Sequence, residues 1–279
     1  MPELPEVETI KRDLKPLVAG RKIIGVKILP DPGGLRVLRR YPSRQRFVRR
    51  LKGAVIREVK RRAKYLLFPL STGDTLIIHL GMSGQLLYRK QADGLERFAR
   101  IVFKLDGGRE LRFVDPRKFG ETYLYSEKRG DKEVELSVLG PEPLSRGFAA
   151  KSLSDILRGR RRPIKSLLMD QRLISGIGNI YSDEILFAAG INPLRPASSL
   201  RDGEIRSLHK AIREILARAI RLRGTSVSDY RDGFGNEGGF QERLMVYQRG
   251  GGKCRRCQGI IRSVKVQGRT SCFCFRCQS

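Results

Sequence analysis

The chain has 279 residues, enough for two or three domains with a substantial core. Its 57 lysines and arginines against 29 acidic residues leave a formal charge of +28, whose self-repulsion calls for a polyanionic partner; nucleic acid fits best and a membrane surface second. Only two histidines are present, which all but excludes triad hydrolysis and histidine-based metal catalysis, and no apolar run approaches the ~18 residues of a membrane span, so a soluble, intracellular chain without a secretory leader is expected.

The opening Met1-Pro2-Glu3-Leu4-Pro5-Glu6 predicts a helix start, with proline early and acids complementing the helix dipole. The same residues can be chemistry. Initiator methionine is trimmed before a small residue, which leaves Pro2 as a free secondary amine, a nucleophile that needs acids or bases nearby. Glu3 is adjacent, and Glu6 falls on the same helical face. Leu14, Leu17 and Val18 extend the apolar spacing, and Gly20 stops the helix. Strand-like runs follow at 22–29, 54–70, 75–88 and 100–114. Asp106-Gly107-Gly108, between alternating Ile101, Phe103, Leu105 and Leu111, Phe113, is a hairpin signal. Alternation of this kind predicts a two-layer antiparallel sandwich over residues 1–140. Within it, His79 follows Ile77-Ile78 and reads as a core imidazole. Met82 and Phe119 sit on the glycine-bounded turns 79–84 and 115–120; the ordinary reading is core, the alternative a wedge into a base stack on a basic surface.

Residues 139–143, Leu-Gly-Pro-Glu-Pro, read as a linker, after which the period becomes helical. A basic run of Arg158, Arg160, Arg161, Arg162 and Lys165 is either a solvated face or a phosphate-facing one. Ser175-Gly176-Ile177-Gly178-Asn179 would let backbone amides approach a phosphate at the start of a helix over 181–189, though a glycine-rich turn is also ordinary structure. Ile205, Leu208, Ile212, Ile215, Ala219 and Leu222 predict a long amphipathic helix that ends at Gly224. Glycines and polar residues over 224–239 suggest an exposed, mobile loop. Last come Cys254-x-x-Cys257 and Cys274-x-x-Cys277, whose spacing brings four thiolates to a tetrahedral, closed and therefore structural Zn²⁺. Cys272 is a fifth thiol outside that set. A short ribbon cannot bury a core alone, so metal binding supplies its folding energy. Its Arg255, Arg256, Arg262, Lys265 and Arg269 favour phosphate contact.

Taken together, the motifs resemble the formamidopyrimidine-DNA glycosylase family of bacterial base-excision enzymes. They are Pro2–Thr9, Arg61–Leu67, the turns 79–84 and 115–120, Leu139–Leu144, Met169–Gly190 and the cysteine ribbon with Gly268-Arg269. The resemblance implies an α+β multidomain chain. An N-terminal catalytic antiparallel β-sandwich with an N-terminal helix would cover 1–140. A helix–two-turn–helix domain would cover 141–245, with a flexible loop over 224–239 that caps the flipped lesion. A β-hairpin zinc finger would cover 246–279. It implies excision of 8-oxoguanine and formamidopyrimidines from damaged duplex DNA by a monomer in a bacterial cytoplasm, with strand cleavage by β,δ-elimination. Pro2 would attack the sugar C1′, and Glu3, with Glu6 beside it, would manage protons. Lys64 would serve elimination, and Arg269 would grip phosphate and assist cleavage. Met82, Arg117 and Phe119 would fill the vacated stack, and Arg160, Lys165 and Asn179 would touch the DNA backbone. One Zn²⁺ on Cys254, Cys257, Cys274 and Cys277 would complete the set. The chain departs from the family pattern at Phe98, where a histidine is expected, at Cys272, and at Gln258, where a glycine is common. Rival readings are an endonuclease VIII-like glycosylase for oxidised pyrimidines and a non-catalytic, zinc-dependent damage-binding protein.

Overall fold

A computed structural model describes residues 1–30, 36–38, 43–126 and 136–279. The chain gathers into two compact units, Met1–Ser137 with Leu222–Gln241, and Val138–Arg221 with Glu242–Ser279. The sequence-based division into 1–140, 141–245 and 246–279 differs in two ways. The 222–241 segment belongs with the N-terminal unit, and the cysteine ribbon belongs with the helices.

The first unit begins with α1 (Leu4–Val18), started by Glu3 at the N-cap with Pro5 in the first turn. The Glu6 carboxylate reaches back to accept the Glu3 amide at 2.7 Å, the return arm of a capping box. Strands β1 (Ile23–Ile28), β5 (Gln85–Lys90), β6 (Ala99–Leu105) and β7 (Arg109–Val114) form one antiparallel sheet in the order β1-β6-β7-β5. Strands β2 (Lys60–Arg62), β3 (Tyr65–Pro69), β4 (Thr75–His79) and β8 (Glu121–Tyr125) form the other, in that order. The Asp106-Gly107-Gly108 signal holds: Leu105 pairs with Arg109 across it, and both glycines take positive φ. One core joins Val7, Ile10 and Leu14 of α1 to Leu66, Phe68 and Ile78 of one sheet and Ile101, Phe103 and Phe113 of the other.

Two of the expected strand runs are each two strands. The run 54–70 turns at Ala63, whose φ is +52°, so β2 and β3 form a tight hairpin. The run 75–88 breaks at the 79–84 turn, which carries the chain from one sheet to the other. A helix not anticipated from sequence, α2 (Arg44–Leu51), is fastened by only two buried apolar residues, Phe47 and Leu51, with Ser43 capping the Arg46 amide.

The second unit holds α3 (Ala150–Leu157), α4 (Ile164–Leu168), α5 (Asn179–Ala189), α6 (Asp202–Arg221) and the hairpin β9 (Ile261–Val266) with β10 (Arg269–Cys274). The buried stripe of α6 runs Ile205, Leu208, Ile212, Leu216 and Ala219; Leu216, not Ile215, carries the inward position. Residues 139–143 are packed rather than free: a Cβ on Gly140 would lie 2.5 Å from the Leu173 backbone, and the Gly140 amide donates to the Gln171 carbonyl at 2.8 Å. No described helix is long and apolar enough to cross a membrane.

Candidate active site and nucleic-acid interface

In the first unit, the start of α1 brings four of the expected residues together. Pro2 is buried, Glu3 and Glu6 are 2 % and 1 % exposed, and Lys64 is 7 % exposed. Glu6 is shared: one oxygen accepts the Glu3 amide at 2.7 Å and the other the Thr225 amide at 2.8 Å. Lys64 owes its place to the Ala63 turn and to Glu8, a residue with no role in the sequence reading. Glu8 holds Arg61 at 3.0 Å, and Arg61 in turn donates to the Ala63 carbonyl at 2.9 Å. Burial raises the Glu8 carboxyl, but hydrogen bonds from Lys11, Arg12 and Arg61 outweigh it and hold it below the ordinary range.

The electrostatics at the chain terminus bear on nucleophilicity. Burial pulls the Met1 amine below its ordinary value; the carboxylates of Glu3 and Glu6 pull it back up, and the Lys64 charge adds to the lowering. An amine in such a place is neutral, and so nucleophilic, at a lower pH than a solvated one.

The turns carrying Met82 and Arg117–Phe119 are adjacent. A Cβ on Gly81 would meet the Phe119 carbonyl carbon at 2.4 Å, so glycine is required by close approach. Asp115, fully buried, ties the two turns: its carboxylate accepts from the Ser83 hydroxyl at 2.7 Å, the Arg117 amide at 3.2 Å and the Gly120 amide at 2.8 Å. Met82 is half-buried, Arg117 is exposed and Phe119 is 44 % exposed, so Phe119 is not a core residue. The Ser83–Asp115 pair was missed in the sequence, where a serine and an aspartate 32 residues apart give no signal. His79 is half-buried, its ring 4.7 Å from that of Tyr65 and its Nδ1 accepting the Gly81 amide at 3.3 Å. Phe98 is 37 % exposed, with the Arg97 guanidinium 5.1 Å from its ring centre.

The 224–239 segment is not a free loop. Tyr230 and Asp232 are buried, and its backbone is bonded to α1 and β5, including Tyr88 N to the Gly233 carbonyl at 2.8 Å.

In the second unit, Gly178 caps α5 and Asn179 is its first residue. Gln171 shapes the turn before it, accepting the Gly176 amide at 2.8 Å and donating to the Ile177 carbonyl at 2.7 Å. Asn179 Oδ1 is buried without a partner among the described residues. The basic run divides. Arg158, Arg160, Arg161 and Arg162 are exposed, Arg162 resting 3.2 Å from Asp170.

Lys165 departs from the expected phosphate-facing position. It is fully buried, with Nζ 2.7 Å from Asp183 Oδ1 and donating to the Thr270 carbonyl at 3.1 Å. The start of α4 at Pro163 turns Lys165 inward, and a buried ammonium stays charged only when paired. Its visible work is to join α5 to β10, where Asp183 also accepts from Ser271 and Cys272. Next to it, Glu184 accepts three consecutive amides, Met245, Val246 and Tyr247, each at 2.9 Å, and so anchors the ribbon's entry.

The Gln267-Gly268 turn, both residues at positive φ, places Arg269 exposed at the first position of β10. The sulfurs of Cys254, Cys257, Cys274 and Cys277 lie within 4.8 Å of one another, with 3.9 Å for Cys254–Cys277 and 3.4 Å for Cys257–Cys274. Tetrahedral Zn–S bonds of about 2.3 Å put sulfurs about 3.8 Å apart, so the set fits. Burial and then hydrogen bonds among the neighbouring thiols push Cys277 up to about 12, and a cation bound here would favour the thiolate instead. Cys272 lies outside the set, against Ser263 Oγ at 3.5 Å. Gln258 holds φ +60°, a region where glycine is at ease, which accounts for glycine being the common choice there.

Comparison with known proteins agrees with this architecture. Residues 1–122 match the description "Formamidopyrimidine-DNA glycosylase N-terminal domain" and residues 139–231 "Formamidopyrimidine-DNA glycosylase H2TH domain". A Moorella thermoacetica formamidopyrimidine-DNA glycosylase is 48% identical over 265 residues, 95% of each chain. A solved Lactococcus lactis FPG mutant in complex with a Fapy-dG containing DNA superposes with TM-score 0.90 at 35% identity, all of both chains covered. The MutM (FPG) protein of Thermus thermophilus gives 0.86 at 43% identity, covering 99% of this chain and 98% of that one.

Proposed function

The chain belongs to the formamidopyrimidine-DNA glycosylase family, and from that premise we propose that it excises oxidised purines, 8-oxoguanine and formamidopyrimidines, from duplex DNA and then cleaves the strand. The observation that carries the reading is the burial of Pro2 with Glu3, Glu6 and Lys64 at the start of α1, where burial lowers even the half-buried Met1 amine. Loss of Met1 makes Pro2 the terminus, one residue deeper in the same surroundings.

The neutral Pro2 nitrogen attacks C1′ of the damaged nucleotide. The N–C1′ bond forms as the glycosidic bond breaks, and the departing base takes a proton. Glu3 is the acid and base at the sugar, relaying protons as its ring opens. The product is an iminium. Because Pro2 is a secondary amine, that nitrogen has no proton to shed, and C2′ stays acidic. Removal of a C2′ proton expels the 3′ phosphate, a second elimination expels the 5′ phosphate, and water releases the enzyme. Lys64 assists the eliminations, and Arg269 binds phosphate. Met82, Arg117 and Phe119 occupy the space of the extruded nucleotide, and Asn179 and Arg160 hold the backbone. Cys254, Cys257, Cys274 and Cys277 hold Zn²⁺, which supplies folding energy to the ribbon.

Borohydride reduction tests the reading. Met1-trimmed protein on an 8-oxoguanine duplex is expected to give a covalent complex; Pro2→Gly should trap weakly, and a chain retaining Met1 should not trap at all. Trapping that is indifferent to Met1 would sink the Pro2 assignment. A thymine-glycol duplex processed faster than the 8-oxoguanine one would point to oxidised pyrimidines instead.

A further inference from the structure

We infer that Arg223 is a positioning residue for the reaction at the N-terminus: with Asp13 and Asp232 it forms an acid–arginine–acid clasp that holds the Leu222–Gln241 segment on α1 and, through Glu6, fixes the backbone that carries Pro2. The inference rests on the proposed chemistry at Pro2 and adds a group that no motif in the chain marks.

Helix α1 offers two buried carboxylates to this segment, Glu6 and Asp13, seven residues apart and so on one face two turns from each other. Each accepts a backbone amide from it, Thr225 N to Glu6 Oε1 at 2.8 Å and Gly233 N to Asp13 Oδ2 at 3.1 Å. The second Glu6 oxygen accepts the Glu3 amide at 2.7 Å, so any shift of Thr225 is felt one residue from Pro2. Arg223 closes the segment between these anchors. Its Nη2 lies 2.7 Å from Asp13 Oδ2 and 2.6 Å from Asp232 Oδ2, and its Nε donates to Asp232 Oδ2 at 3.1 Å. The surplus negative charge is met by amides: Phe234 and Asn236 both donate to Asp232 Oδ1 at 2.9 Å.

The backbone makes the arginine conspicuous. Arg223 and Gly224 are consecutive left-handed residues, φ +63° and +84°. Gly224 has a steric reason, since a Cβ there would sit 2.8 Å from Glu6 Oε1. Position 223 has no such reason to avoid glycine, and a side chain in that region is strained. The guanidinium contacts with two buried carboxylates offset that strain, and Arg223 also accepts the Tyr230 hydroxyl on its carbonyl at 3.1 Å. The clasp therefore fixes the segment through a side chain where its backbone alone would favour glycine.

The test uses full-length, zinc-loaded, Met1-trimmed protein as wild type, Arg223→Ala, Arg223→Lys and Asp13→Asn. Each is assayed for single-turnover excision of 8-oxoguanine, for borohydride trapping on a pre-formed abasic duplex, and for affinity toward a tetrahydrofuran-containing duplex that cannot react. Arg223→Ala is expected to slow excision and trapping about tenfold to a hundredfold, the scale of a ~1 Å misplacement, while affinity changes less than about threefold. Arg223→Lys is expected to recover most of the rate. Excision by Arg223→Ala at the wild-type rate, or an affinity that falls in step with the rate, overturns the inference. If Arg223→Ala does not fold, Asp13→Asn, which keeps the helix surface, decides by the same criteria. A wild-type protein that forms no trapped complex refutes the Pro2 chemistry itself, a result distinct from either.

Discussion

Glu6 illustrates how much a single side chain can do once its neighbours are known. In sequence it is a first-turn acid; in the fold it joins the Glu3 amide to the Thr225 amide, more than two hundred residues on. Burial lowers the Met1 amine, and after trimming the same cause acts on the more deeply buried Pro2 nitrogen, which has a consequence for pH. A depressed pKa means the amine sheds its proton at a pH below the ordinary α-amino value of about 8, so trapping should rise through that lower pKa and be flat above it. For trimmed protein on an abasic duplex, the midpoint of the acid limb should therefore fall below about 8. A midpoint at or above it would remove the electrostatic argument for Pro2. At this scale the placing of Pro2 and Glu3 at a helix start and the clustering of the four cysteines were legible, because both follow from local spacing. Lys165 was not: nothing in Arg161-Arg162-Pro163-Ile164-Lys165 marks the last charge as buried, since that depends on Asp183 facing it.

At the level of elements, the hairpin at Asp106–Gly108 could be read directly because its turn residues demand positive φ. The turn at Ala63-Lys64 could not, since alanine gives no such signal, and α2 stayed hidden because three apolar side chains in a short basic stretch, Phe47, Val48 and Leu51, make no clear stripe. The cysteine ribbon shows an element that local sequence specifies but that needs help to fold. Protein contacts secure its entry, at Glu184 with Met245–Tyr247, its second strand, at Asp183 with Ser271–Cys272, and its end, where Gln278 and Ser279 bond to residues 190–192; a metal on the four cysteines would hold the two knuckles to each other. Chelation is thus expected to open residues 248–279 to protease while the chain before Met245 stays protected, and to weaken duplex binding. A protease pattern unchanged after complete metal removal would deny the metal that role.

For the molecule as a whole, the charge of +28 predicts binding that weakens steeply with salt, since each phosphate neutralised releases counterions. Arg160 and Arg269 are both exposed, and neither has an ion partner among the described residues. Arg160→Gln and Arg269→Gln should each reduce the magnitude of the log K against log salt slope by about one, with undamaged and damaged duplexes affected alike. An unchanged slope would show that the substituted side chain does not meet a phosphate. The sequence by itself determined a charge that calls for a polyanionic partner, a cysteine cluster spaced to hold a metal and a candidate nucleophile, because charge balance, ligand spacing and a secondary amine at position 2 are properties of composition and short range. Only the tertiary structure decided that Asp115 ties the Met82 turn to the Phe119 turn, that Lys165 is internal, and that the 222–241 segment is clasped to α1. Each of those depends on groups distant in sequence meeting where water is excluded, and there a buried carboxylate or ammonium must find a partner or bear its desolvation cost unaided.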